Sequence, residues 1–171
     1  TKSILAVVDI TNRIGVWKLS DQTNLAEVAG GSGTVSSLAF SPDGSKLAVS
    51  TEDGTIAIWA VSEEGLSEIA TFKGGALGAD SMDFTPDGSS LAVVDGEGMK
   101  IWSTSPDPTY LVPLNSQGIA QRYWREVRYS PDGSYLAAID DARLTLWKIA
   151  DGVPVFEDSF LSGDEAEPGW L

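Results

Sequence analysis

A chain of 171 residues with 42% hydrophobic and 21% charged side chains has the composition of a globular protein, neither disordered nor fibrous. Its net charge of −14, with only 11 basic residues, excludes a phosphate backbone or an anionic membrane as the principal partner. It has no cysteine and no histidine, which removes disulfides, thiolate metal sites, cysteine nucleophiles and the commonest general base at neutral pH.

In chain order, the first signal is a short alternating run ending at Trp17, and it returns at Trp59, Trp102 and Trp147, spaced 42, 43 and 45 residues apart. A second marker keeps the same period. Ser41-Pro42-Asp43-Gly44 recurs as Thr85-Pro86-Asp87-Gly88 and as Ser130-Pro131-Asp132-Gly133. Within the unit from Thr34 to Phe72, strand-like runs cover 35–40, 46–50, 55–59 and 66–72. Pro and Gly in the first turn, and Asp53-Gly54 in the second, suit tight hairpins. The expected fold is therefore all-β, a β-propeller made of four-stranded antiparallel blades, because such meanders bury their faces only against one another.

These residues resemble the WD-repeat family: Ser-Pro-Asp-Gly, then Leu-Ala, then an acidic residue in a tight turn, then Ile-x-Ile-Trp. The resemblance runs over nearly the whole chain, as a divergent, bacterial-type branch. It implies a buried hydrogen-bond network of Gly-His, Ser or Thr, Asp and Trp. Here Gly30-Gly31 and Gly74-Gly75 replace Gly-His; Ser50, Asp53 and Trp59 remain in one unit, and Asp141 with Trp147 in another.

The whole chain, 1–171, reads as one propeller domain or part of one, with blades at about 1–30, 31–74, 75–115 and 116–163. Residues 164–171 would begin a following or ring-closing strand, with Gly169-Trp170-Leu171 supplying the inner strand that the first blade lacks. Four blades of this family leave three arrangements open: part of a larger ring, a half-ring that dimerises into eight blades, or a closed ring of four.

For function, the segment from Asn115 to Arg125 carries Arg122-Tyr123-Trp124-Arg125, residue types enriched at interface hot spots. It is the candidate contact site, although Trp124 aligns with Val35 and could equally fill the core. The resemblance implies a non-catalytic interaction scaffold with a protein or peptide partner, or another propeller half. The alternatives are a homo-oligomeric assembly unit and a hydrolase or sugar-binding propeller built on carboxylates. No metal or cofactor site is expected. The acidic run from Asp164 to Glu167 has no regular ligand spacing, and Asp140-Asp141 is one neighbouring pair among 25 acids. Gly30-Gly31-Ser32-Gly33 lacks the Lys-Ser/Thr and the helix of a phosphate loop. With no signal peptide or transmembrane span visible, a cytoplasmic location is expected, with no nucleic-acid or membrane partner.

Overall fold

A computed structural model describes residues 3–113, 123–150 and 153–161. They form four antiparallel sheets, each a meander whose strands pair in chain order. The first holds β1 (Ile4–Val8), β2 (Arg13–Lys18) and β3 (Thr23–Ala29). The second holds β4 (Val35–Phe40), β5 (Lys46–Thr51), β6 (Thr55–Ser62) and β7 (Gly65–Lys73). The third holds β8 (Ser81–Phe84), β9 (Ser90–Asp95), β10 (Gly98–Ser103) and β11 (Tyr110–Pro113). The fourth holds β12 (Glu126–Tyr129), β13 (Tyr135–Ile139), β14 (Arg143–Ala150) and β15 (Val153–Leu161). The runs expected between Thr34 and Phe72 are thus found as β4 to β7.

The two sequence markers have local physical causes. In each Ser/Thr-Pro-Asp-Gly turn the glycine has positive φ, 70° at Gly44, 67° at Gly88 and 73° at Gly133. The aspartate accepts from the hydroxyl two residues before it and from the serine two after it. Asp43 Oδ1, for example, takes Ser41 Oγ at 2.6 Å and Ser45 N at 2.9 Å. Asp87 and Asp132 do the same with Thr85 and Ser89, and with Ser130 and Ser134. Trp17, Trp59, Trp102 and Trp147 each sit where the last two strands of their sheet slip register, the same bulge in all four sheets.

Apolar side chains fill the spaces between consecutive sheets. Ile14 and Val16 of the first meet Leu47 and Val49 of the second. Ala48 and Ile56 meet Met82, Phe84, Leu91 and Val93 of the third. Ala92, Val94, Met99 and Ile101 meet Val127, Leu136, Ala138 and Trp147 of the fourth. The inner strands β4, β8 and β12 pack in succession.

Polar side chains stitch the sheets to the inner strands that follow. Asn12 Oδ1 accepts from Val35 N at 2.7 Å, Ser50 Oγ from Ala79 N at 2.8 Å, and Asp83 Oδ2 from Tyr129 N at 2.7 Å. Each satisfies a backbone donor at a junction between sheets. The network implied by the family resemblance is replaced rather than kept: Ser50 bonds to the next sheet, and Asp53 accepts from Thr51 Oγ1, Thr55 N and Ser32 Oγ. With no histidine to bridge them to the tryptophan, both side chains turn to nearer donors. The indole nitrogen of Trp102 is buried with no hydrogen-bond partner.

Candidate interaction site

An antiparallel meander sends alternate turns to opposite rims. One rim carries the turns β1–β2, β5–β6, β9–β10 and β13–β14 and the loops that lead into β4, β8 and β12. The opposite rim carries the Pro-Asp-Gly turns. The expected contact residues lie on the first rim, and the structure divides them.

Tyr123 is 77% exposed. Trp124 is 6% exposed and packs edge-on against Trp147, with ring centroids 5.5 Å apart. It belongs to the core between the third and fourth sheets and is withdrawn as a contact residue. The cause is strand alternation: Arg125 N bonds to Ile139 O at 2.8 Å, which anchors the segment beside β13 and turns Trp124 inward and Arg125 outward. Arg122, like residues 114–121 and the tail 162–171, lies outside the described residues.

The Arg125 guanidinium pairs with the Asp141 carboxylate at the surface. Its hydrogen bond holds the Asp141 carboxyl below the usual carboxylate range and raises the Arg125 pKa. This corrects the role expected of Asp141 as the turn residue of its sheet. Asp140 fills that role, its Oδ1 accepting from Ala142 N at 2.8 Å and Arg143 N at 2.7 Å.

The other turns on this rim are held in the same way. Asp9 Oδ1 accepts from Thr11 N and Arg13 N, and Asp95 Oδ1 from Glu97 N. The Thr51 hydroxyl, with Thr55, holds the Asp53 carboxyl well below its ordinary value. Lys100 Nζ ties the third sheet to the second, reaching Asp95 Oδ2 at 3.1 Å, Glu97 Oε2 at 2.7 Å and Gly74 O at 2.9 Å. Burial opposes the charge on Lys100, but its acidic neighbours raise its pKa overall. These aspartates are structural, and no group of three or more acidic side chains that could hold a metal forms among the described residues.

Two surface residues on this rim lie beyond the expected set. Leu77, in the loop before β8, is 61% exposed beside a shallow depression lined by Ser36, Glu52, Gly78, Ala79 and Asp80. Ile10, in the β1–β2 turn, is fully exposed. Ile10, Leu77 and Tyr123 are thus large apolar side chains at loop positions of one rim, whereas Leu19 is the counterpart on the other among the described residues. Loop position within the repeat, rather than residue type, is the signal that could have found Leu77.

Comparison with known proteins agrees with this architecture. Residues 22–60 match the family "WD domain, G-beta repeat". That stretch contains the unit that keeps Ser50, Asp53 and Trp59 together; the match covers one unit rather than the four that the resemblance spans. No curated protein matches the chain. Among solved structures, a chain of "Crystal Structure of Mitotic Checkpoint Complex" superposes with a TM-score of 0.72 at 21% identity, over 92% of this chain. This chain spans 49% of that one, about half its length. With 1355 solved chains matching, the likeness identifies a widely used architecture, stacked antiparallel sheets of propeller type, with a WD repeat matched from β3 of the first sheet into β6 of the second. No helix among the described residues is long and apolar enough to cross a membrane.

Proposed function

We propose that the protein is a non-catalytic interaction scaffold that receives a protein or peptide partner on the rim carrying Ile10, Leu77 and Tyr123. The observation that carries this reading is the asymmetry between rims. Among the described residues, large apolar side chains stand exposed at three loop positions on one side and at a single one on the other. Exposed apolar and aromatic side chains on loops held by a rigid frame are the usual anchors of a binding surface. The frame here is stiffened by turn aspartates and by Lys100. A net charge of −14 favours a partner with basic residues flanking an apolar anchor, through faster encounter at low salt.

The absence of histidine and cysteine from the sequence supports a binding role over a catalytic one, and the neighbouring acids at Asp140 and Asp141 are engaged in a turn and an ion pair. The test is affinity capture on the immobilised chain, with bound proteins identified by mass spectrometry. Leu77→Asp and Tyr123→Ala should each weaken the captured interaction about tenfold or more, as loss of a hot spot does. Leu19→Asp, on the opposite rim, should leave it intact. Equal capture by all three variants would remove the rim from consideration.

A further inference from the structure

On the Pro-Asp-Gly rim, one repeat position fills the three junctions between sheets in three different ways. The residue just before the leucine that faces the repeat tryptophan is Ile4, Lys46 and Ser90 in the first three sheets. Across each junction it meets the residue two places after the tryptophan of the next sheet: Val61, Thr104 and Ile149. Those three are equivalent by their backbone, since their N–H groups donate to the carbonyls of Ser45, Ser89 and Ser134.

At the first junction Ile4 packs against the apolar cluster that contains Val61. At the second, Lys46 Nζ donates to Gly88 O at 2.9 Å and to Thr104 Oγ1 at 2.8 Å, and Gly88 and Thr104 are buried beneath it. At the third the two sides do not match. Ser90 is far shorter than a lysine, and the side chain of Ile149 offers no hydrogen-bonding group. A cavity of about 310 Å³ opens there, lined by Ser90, Ile101, Tyr129, Gly133 and Ile149 among others. Its frame is the one that holds Lys46: a Cβ on Gly88 would lie 3.5 Å from Ser41 Cβ, and one on Gly133 would lie 3.3 Å from Pro86. Only the filling differs, and Gly133 is left half-buried where Gly88 is buried.

The walls suit a cation on an apolar stem. Ile101 and Ile149 supply apolar surface and Tyr129 an aromatic ring. Asp87 and Asp132 also line the cavity; they engage their own turns through Oδ1, which leaves Oδ2 of each for a further donor. The Thr85 and Ser89 donors hold the Asp87 carboxyl below its usual range, and those of Ser130 and Ser134 bring Asp132 down to about 2, so both are anionic at neutral pH. The volume lies at the low end for ligand cavities, room for one long side chain rather than for a cofactor.

From the match with Lys46 we infer that this cavity receives a lysine side chain of a protein partner, its ammonium donating to the Gly133 carbonyl and its alkyl stem lying along Ile101 and Ile149. The net charge of −14 favours the encounter. The cavity lies on the rim opposite Ile10, Leu77 and Tyr123, so it stands or falls separately from that surface.

The test is a nuclear magnetic resonance titration of the isotope-labelled chain with Nα-acetyl-lysine N-methylamide. The amides of Ser90, Gly133 and Ile149 should shift with a dissociation constant of about 1–10 mM, as befits a single side chain. The same probe acetylated at Nε, which lacks the charge, should shift none of them. Ser90→Lys fills the cavity from within and should abolish the shifts while keeping the wild-type far-ultraviolet circular dichroism. Lys46→Ser opens the equivalent cavity at the second junction and should add shifts at Gly88 and Thr104; if that variant does not fold, Ser90→Lys alone decides. No shift at the three amides by about 50 mM probe, equal shifts from the charged and acetylated probes, or unchanged shifts in Ser90→Lys would each overturn the ammonium site. Tighter binding of n-butylammonium than of the lysine probe would assign the cavity to a small free amine and overturn the protein partner.

Discussion

Leu47 and Leu91, in the second and third sheets, are 0% exposed, whereas Leu5, at the same repeat position in the first sheet, is 45% exposed. All three begin the same Leu-Ala-Val run. The middle sheets are covered on both faces, and β5 and β9 are buried along nearly their whole length; β1 and β13 alternate between covered and open. Burial in this molecule is set by the neighbouring sheet as much as by a strand's own residues.

The sharpest way to break this comparison is to make one substitution at equivalent positions. Leu91→Ala should cost about 2–5 kcal/mol in denaturant unfolding, through lost transfer energy and a residual cavity. Leu5→Ala should cost a single copy less than about 1 kcal/mol. Equal costs would mean that the first sheet is covered after all.

A backbone substitution tests the junction between the second and third sheets. Gly54 has φ of +79°, and a Cβ there would lie 2.1 Å from Gly75 O. Gly54→Ala should therefore destabilise by about 2 kcal/mol or more, seen as a lowered denaturant midpoint. A neutral result would contradict the close approach of these two loops.

Ser50→Ala is expected to have a smaller effect, about 1–3 kcal/mol, because it strands the buried Ala79 N–H at the same junction. Ser50→Thr, which keeps an acceptor, should recover part of that loss.

The smallest effect is one of pH and concerns the Pro-Asp-Gly turns. The Ser41 hydroxyl, followed by the Ser45 donors, brings the Asp43 carboxyl down to about 2, and Ser130 with Ser134 does the same for Asp132. A carboxyl whose pKa is lowered by folding stabilises the fold above its unfolded value of about 4 and loses that contribution as pH falls. Stability should therefore drop between about pH 4 and pH 2, and Asp43→Asn should flatten part of that drop. A melting temperature flat across this window would show that the turns contribute nothing.

Much of the architecture was legible in the sequence because turn chemistry repeats with the strands. The Pro-Asp-Gly triplets and the four tryptophans carry the period, and the structure places each at a turn or a bulge. Less of the surface could be read. Arg122 to Arg125 form one continuous cluster in sequence, yet strand alternation buries Trp124 and exposes Tyr123 and Arg125. Asp140 and Asp141 are chemically identical neighbours, and only the position of β14 decides which holds the turn. Leu77 carries no local signal at all, since a leucine in a glycine-rich stretch reads equally well as core or rim.

The most direct test of the account is hydrogen–deuterium exchange resolved strand by strand. Residues 46–51 and 90–95, in sheets covered on both faces, should exchange more slowly than residues 4–8 and 135–139, whose burial alternates along the strand. Uniform protection of all four strands would contradict it.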